Sequence, residues 1–355
     1  MKVYFETSSV LASYNLDLPK ALSSSIHTFV DIDNPLLYVI YLYEKIFHGR
    51  YNFYKTIPPY LGRLMRTRFL RKVDVVHLNS LNTELAKKAK ELGKPVVSVL
   101  HAAPFPKEVY DEIDEINDYV DVYVAPSNFT KQNEETKVGS KNIVVIHHGI
   151  DTELFYPTTP REEARRKLRV PLNVKVILWN DRIAPEKDLE SFIEAMEYVL
   201  EEVKDVYVYI KGRAVVKNYY DKVKEPLRKL QKSYRVKLHI GWIPHSMLPL
   251  LYRAADIFIR TSKHENFGLG AIEAMACGTP VVAPNAATFP EIIGDVTTLY
   301  RPGDPVDLAK KVITLLTDRN LYNSVTEYQL TRARRYFNIL HVAQKYIELY
   351  SSLIK

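Results

Sequence analysis

Short apolar runs, many of them β-branched, alternate along the chain with stretches whose apolar positions recur at helical spacing. In the first half the runs fall at 2–5, 28–32, 73–78, 96–100, 120–125 and 143–147; in the second they fall at 174–179, 206–210, 236–240, 256–259, 281–283 and 297–300. Runs that are apolar on successive residues, with helices between most of them, describe parallel sheets covered on both faces. The two halves are alike in size and pattern, and 157–160 (PTTP) reads as a hinge between them. The expected fold class is therefore α/β, two Rossmann-like domains with parallel sheets facing across a cleft, divided as 1–156 and 157–337. A last helix, 338–355, carries Ile339, Val342, Ala343, Tyr346, Ile347, Tyr350 and Leu353 at core spacing.

The richest stretch is 256–284, DIFIRTSKHENFGLGAIEAMACGTPVVAP. It reads as strand, glycine-bearing loop, short Ala/Met helix and second strand. The loop brings peptide N–H groups to a helix amino end, where unpaired donors and the helix dipole favour an anion, most simply a phosphate. Gly268 and Gly270 allow close approach to the backbone, and Gly278 suits the left-handed position after a helix. Glu265 and Glu273 bracket the helix start. Carboxylates beside a phosphate make sense if they address neutral sugar hydroxyls, so phosphate and polyol together point to a sugar nucleotide.

HENFGLGAIEAMACGTPVVA resembles the donor-site signature of glycosyltransferase family 4, retaining nucleotide-sugar-dependent enzymes of the GT-B fold, in which two glutamates stand eight apart. Asn266 replaces the usual glycine and Gly270 the usual proline. Further on the amino side, NDRIAPEKDLESF is similar to the family's GR-x4-KG pattern, with Asp181 and Asp188 in place of its glycines. Arg182 and Lys187 sit five apart on the expected strand-to-helix loop, where both can reach one diphosphate; the resemblance makes them its clamp. The stretch 211–213 resembles a weaker motif near the nucleotide, which brings in Gly212, and Gly241-Trp242-Ile243 occupies the position that borders the base. Ile243 offers backbone groups to the base edge, without separating uracil from guanine or adenine.

In the first half the resemblance is thinner. His101 ends the run 96–100, where the family often has a histidine that contacts the donor sugar. IHHGIDTELFYP resembles the interdomain crossing, with His148 where asparagine is common, and 338–355 is implied to return to the first domain. The loop after the first strand, Thr7-Ser8-Ser9, lacks the family's glycine pair and offers hydroxyls to acceptor or phosphate instead. His147 and His148 make a poor metal pair, because adjacent strand residues face opposite ways.

What the resemblance implies is transfer of a hexosyl unit from a nucleotide-diphosphate sugar to a hydroxyl on a saccharide or lipid-linked saccharide, with retention. Domain 1–156 would bind acceptor and 157–337 the donor. Arg182, Lys187 and the N–H groups of Asn266, Phe267, Gly268 and Leu269 would stabilise the departing diphosphate, with Glu265 on the sugar, Glu273 on the ribose, and no metal or other cofactor. His101, Glu265, Arg182 and Lys187 are the catalytic candidates. A GT-B-shaped nucleotide-sugar epimerase and a hydrolase using paired carboxylates are the alternatives.

Composition adds limits. Of 355 residues 46% are hydrophobic and 26% charged, as in ordinary globular proteins, and no apolar run reaches the length of a membrane span. Residues 1–5 run straight into a strand pattern instead of a signal peptide, so a cytoplasmic protein is expected. The one cysteine, Cys277, excludes an internal disulfide and reads as core. Net charge is +7 with a pI near 9.1, compatible with phosphate ligands, an anionic membrane or nucleic acid. No nucleic-acid motif is present, and none is expected to bind. Residues 36–72 combine aromatic and aliphatic runs with Arg63, Arg66, Arg68, Arg71 and Lys72. This is either a helix with a solvated basic face or a peripheral contact with the anionic inner membrane surface.

Overall fold

The computed structural model describes residues 1–6, 12–31, 55–57, 67–101, 110–135, 138, 142–241 and 243–354. Thr7, Ser8 and Ser9 lie outside these residues, as does most of 36–72, so the expectations placed there are not addressed by the structure. Contacts group the chain into two units, Met1–Asp151 with Phe337–Lys355, and Thr152–Tyr336.

The first unit holds β1 (Lys2–Glu6), α1 (Ala12–Leu22), β2 (His27–Asp31), β3 (Lys55–Ile57), β4 (Val75–Leu78), α2 (Thr83–Glu91), β5 (Val96–Val99), α3 (Tyr110–Asn117), β6 (Val122–Ala125), α4 (Asn128–Glu134) and β7 (Asn142–Val145). Among the described residues its seven strands are all parallel, in the order β3-β2-β1-β4-β5-β6-β7. The sequence pattern located every one of these strands except β3, three residues long inside the aromatic and basic stretch. Ser127 caps α4 as its position suggested, accepting from the Thr130 N–H at 3.0 Å.

The second unit runs α5 (Arg161–Leu168), β8 (Lys175–Ile183), α6 (Leu189–Glu202), β9 (Val206–Ala214), α7 (Lys217–Ser233), β10 (Val236–Ile240), α8 (Leu248–Ala254), β11 (Ile257–Ile259), α9 (Leu269–Ala276), β12 (Val281–Pro284), α10 (Phe289–Ile293), β13 (Leu299–Tyr300), α11 (Pro305–Thr317) and α12 (Arg319–Tyr336). Its six strands order as β10-β9-β8-β11-β12-β13, again parallel. The final helix, α13 (Ile339–Leu353), packs on α1 and buries Ile339, Val342, Ala343, Tyr346 and Tyr350.

Each sheet is sealed by its own apolar cluster. One is built on Leu78, Leu85, Val96 and Tyr123, the other on Trp179, Phe192, Val208 and Ile257. Both strand orders reverse at one place, between β1 and β4 in the first sheet and between β8 and β11 in the second. Outside the carboxyl ends of strands at such a reversal the flanking loops diverge and leave a crevice. Glu6, Asn79, Asp181 and Arg260 lie at those ends.

One deep polar cluster is structural. Arg165 of α5 donates to Ala254 O, Leu172 O and Val174 O and pairs with Asp256 at 2.6 Å; Asp256 in turn accepts from the Val176 N–H. It ties α5 to the start of β8 and to the turn before β11.

Candidate functional site

In the second unit the site forms where β8 and β11 end. Sequence reading placed Arg182 and Lys187 together on a loop after the strand. Instead β8 continues through Ile183, paired in register with β9 past Arg182 opposite Arg213 to Ile183 opposite Ala214. Strand alternation then sends neighbouring side chains to opposite faces. Asp181 is mostly buried, while the Arg182 side chain is 56% exposed and bonds Glu186 at 3.1 Å. Lys187 lies on a 3-10 turn, 185–187, and is buried. The turn ends at Asp188 with φ +47°, the left-handed conformation for which the family pattern has glycine and which a short acidic side chain tolerates.

The Lys187 ammonium is 2.8 Å from Glu265 Oε2 and 3.5 Å from Asp181 Oδ2. Its backbone is pinned as well: the Thr261 hydroxyl donates to Lys187 O at 2.7 Å and accepts from the Trp179 indole at 3.0 Å. Arg260, the first residue after β11, completes the cluster, with Nη1 2.6 Å from Asp181 Oδ2 and Nη2 2.6 Å from Glu265 Oε2. Burial alone would raise the Glu265 carboxyl, but Lys187 and Arg260 outweigh it and hold the group well below the ordinary carboxylate range.

Gly268, at φ +77°, delivers the chain into α9; a Cβ there would meet Phe289 at 3.3 Å and Glu265 Cγ at 3.4 Å. Phe267 is buried beside it, and Leu269 opens the helix half-buried. Glu273, one turn in, is buried; it accepts from the Tyr252 hydroxyl at 2.9 Å and faces His245 Nε2 at 3.6 Å. Burial first, and then the Glu273 charge, push the Tyr252 hydroxyl far above its usual range, so it stays a donor. Gly270 is where the tyrosine approaches, 3.2 Å from the position a Cβ would take. Gly278 has φ +72° after the helix, as its place in the sequence suggested, and Cys277 is a buried free thiol.

Two further expected nucleotide contacts also fall in this unit. Gly212 lies within β9, and a Cβ on it would strike Ile183 at 2.7 Å, so the glycine lets the long β8–β9 pair close. Ile243 follows β10 half-buried.

In the first unit the strand ends carry a chain of imidazoles, His77 and His148 buried and His101 partly so. His101 Nε2 is 2.9 Å from Asn79 Oδ1, and His77 Nε2 is 3.1 Å from the same oxygen. His101 Nδ1 meets His148 Nε2 at 3.2 Å, and the Tyr350 hydroxyl of α13 meets His77 Nδ1 at 2.7 Å. The Asn79 amide donates to Glu6 O, and Glu6 Oε2 accepts from the Asn79 N–H and the Ser80 hydroxyl. Since an amide oxygen only accepts, both Nε2 atoms facing it carry protons. His101 Nδ1 then accepts from His148, and His77 Nδ1 accepts from Tyr350. Burial lowers His77 and His101 to about 3 and His148 well below its usual value, so all three are neutral.

The structure thus joins Lys187 to Glu265, sets Glu273 on α9 just beyond them, and gives Arg182 a separate partner. Sequence reasoning missed Arg260, Asp181 and Tyr252 in this site, and Asn79, His77 and Tyr350 around His101. For Arg260 a signal existed: a charged residue directly after the apolar run DIFI, where strand ends meet ligands.

Comparison with known proteins fits this geometry. Residues 160–332 match the family model of glycosyl transferases group 1, and 24–154 match that of glycosyltransferase family 4. The chain belongs to this family of glycosyltransferases. It is 29% identical over 217 residues to the lipopolysaccharide core biosynthesis mannosyltransferase LpsB of Rhizobium meliloti, covering 59% of this chain and 61% of that one. To the D-inositol 3-phosphate glycosyltransferase of Corynebacterium aurimucosum it is 34% identical over 201 residues, 55% of this chain and 48% of the relative. The chain thus spans less than two thirds of either relative's length. A structure of Anabaena HepE in complex with UDP and glucose superposes with a TM-score of 0.82 at 22% identity, over 99% of this chain and 100% of the other. The fold is GT-B. Among the described residues no helix is long and apolar enough to cross a membrane.

Proposed function

We propose that this protein transfers a hexosyl unit from a nucleotide-diphosphate sugar to a hydroxyl of a saccharide or lipid-linked saccharide, retaining the anomeric configuration. The observation that carries this reading is the Lys187–Glu265 pair beside the amino end of α9, with Glu273 on the same helix. HepE, solved with UDP and glucose, supports a nucleotide sugar as donor.

In this scheme the donor diphosphate takes the Lys187 ammonium and the N–H groups from Asn266 to Leu269. Arg182 leaves its exposed pair with Glu186, worth about 0–1 kcal/mol, to join them. Glu265 accepts from hydroxyls of the sugar and Glu273 from those of the ribose. The anomeric C–O bond to the β-phosphate breaks while a bond to the acceptor oxygen forms on the same face. The acceptor's proton passes to the departing phosphate oxygen, whose charge Lys187 and the amides stabilise, the kind of contribution that dominates many enzymes. His101 reaches the sugar by giving up one of its two imidazole bonds. No metal or other cofactor enters the scheme. The protein works in the cytoplasm, and a lipid-linked acceptor would bring 36–72 against an anionic membrane face.

A thermal-shift panel of UDP, GDP and ADP with their hexosyl derivatives tests donor binding, since a ligand stabilises the native state by mass action. Nucleoside diphosphate release that depends on added acceptor, with and without chelator, tests transfer. Donor conversion without acceptor, or hydrolysis of an activated glycoside without nucleotide, would replace this reading by an epimerase or a hydrolase.

A further inference from the structure

Asp181 stands where the family pattern has glycine, and its partner is the buried Arg260, a residue that no motif announced. Lys187 and Arg260 address the same two oxygens. Asp181 Oδ2 lies 3.5 Å from the ammonium and 2.6 Å from Arg260 Nη1; Glu265 Oε2 lies 2.8 Å from the ammonium and 2.6 Å from Arg260 Nη2. Two cations and two carboxylates therefore close a ring in which each of these oxygens has two cationic partners.

The cations are not equivalent. Arg260 is 6% exposed and is also bonded to Asn180 O at 3.3 Å and Ser262 Oγ at 3.2 Å, so its planar fork is fixed. Lys187 is a point charge on a flexible stem that can exchange one anion for another. A phosphate that draws Lys187 away would leave two buried carboxylates without counter-charge, a large penalty, if lysine were their sole partner. With Arg260 in place both remain paired.

We infer that Arg260, oriented by Asp181, is a positioning residue of the donor site: it keeps the Glu265 carboxylate ionised and in place while the Lys187 ammonium turns to a ligand phosphate. The ligand's nature rests on the donor-site reading above; the ion-pair ring does not.

The ring is tested in the protein without ligand, by following the Glu265 carboxyl carbon by NMR against pH, with Glu265→Gln for assignment. In Lys187→Met the carboxyl should still titrate below an ordinary glutamate; in Lys187→Met/Arg260→Met it should move up to or above that value. An ordinary titration in Lys187→Met alone overturns the inference.

Calorimetry with UDP and GDP supplies a second arm. Arg260→Met should weaken binding about tenfold or more, and so should Asp181→Gly/Arg260→Met, whose balanced charge favours folding. Wild-type affinity in that double variant overturns the inference, because it reduces Arg260 to charge balance. If the wild-type protein binds neither UDP nor GDP, ADP is used in their place; if it binds none of the three, the donor reading is at fault, and the carboxyl titration still decides the role of Arg260.

Discussion

The Lys187 ammonium lies 2.8 Å from Glu265 Oε2, a contact between residues 78 positions apart in the chain. It joins the turn after β8 to the loop before α9 across the reversal point of the sheet. Glu265→Gln keeps the shape of the side chain and removes its charge. Arg260 and Lys187 then share Asp181 as their remaining anion in the ring, and stability should fall by about 2–4 kcal/mol. Turnover should fall about 100-fold, more than nucleoside diphosphate affinity does, because the carboxylate is assigned to the sugar and not to the phosphates. Melting temperature and steady-state kinetics check both, and wild-type turnover would remove Glu265 from the mechanism.

Arg182 and Lys187 belong to one sequence pattern but occupy different surroundings, so their substitutions should differ. Lys187→Met removes a buried cation and should reduce nucleoside diphosphate affinity about 10- to 100-fold while also lowering stability. Arg182→Met removes an exposed side chain whose bond to Glu186 contributes little. It should leave the melting temperature within about a degree and weaken binding by about tenfold. Equal stability losses in the two variants would contradict the burial difference.

Much of this was legible in advance because the relevant signals are local. Apolar runs fix strands, Gly268 and Gly278 mark the ends of α9, and Ser127 caps α4. The ring around Glu265 was not legible. Asp181, Lys187, Arg260 and Glu265 come from segments separated in sequence, and their pairing follows from strand order and from β8 running on to Ile183. A loop there would have let Arg182 and Lys187 point together; a strand makes Asp181 and Arg182 diverge. His101 was singled out by its place at a strand end, but its partners Asn79 and His148, and the His77–Tyr350 pair beyond Asn79, are set by tertiary packing.

The three neutral imidazoles predict how stability depends on pH. Unfolded histidines take up protons near their ordinary value of 6.5, whereas burial holds His77 and His101 neutral down to about 3. Between those values the unfolded chain binds more protons than the folded one, so stability falls as pH drops below about 6.5. Each such histidine contributes a slope of up to about 1.4 kcal/mol per pH unit. Denaturant melts at pH 7, 6 and 5 should show this decline, and His148→Asn should reduce the slope. Equal stability at pH 7 and 5 would mean that the histidines are protonated in the folded protein.

Tyr252 gives the sharpest test of the ribose assignment. Its hydroxyl donates to Glu273 Oε2 at 2.9 Å, and its burial keeps it protonated throughout the working range. Tyr252→Phe keeps the ring, which packs against Phe258 and Phe155 at centroid distances of 5.3 and 6.3 Å, and deletes one hydrogen bond to a buried carboxylate. That loss should cost about 1.5–3 kcal/mol of stability. Glu273 becomes less well oriented toward the ribose, so the KM for the nucleotide sugar should rise about tenfold. In the proposed scheme the bond-breaking step does not involve this carboxylate, and kcat should change less than about threefold. Steady-state kinetics separate the two effects: a fall in kcat with KM unchanged would place Glu273 at the reacting carbon and not at the ribose.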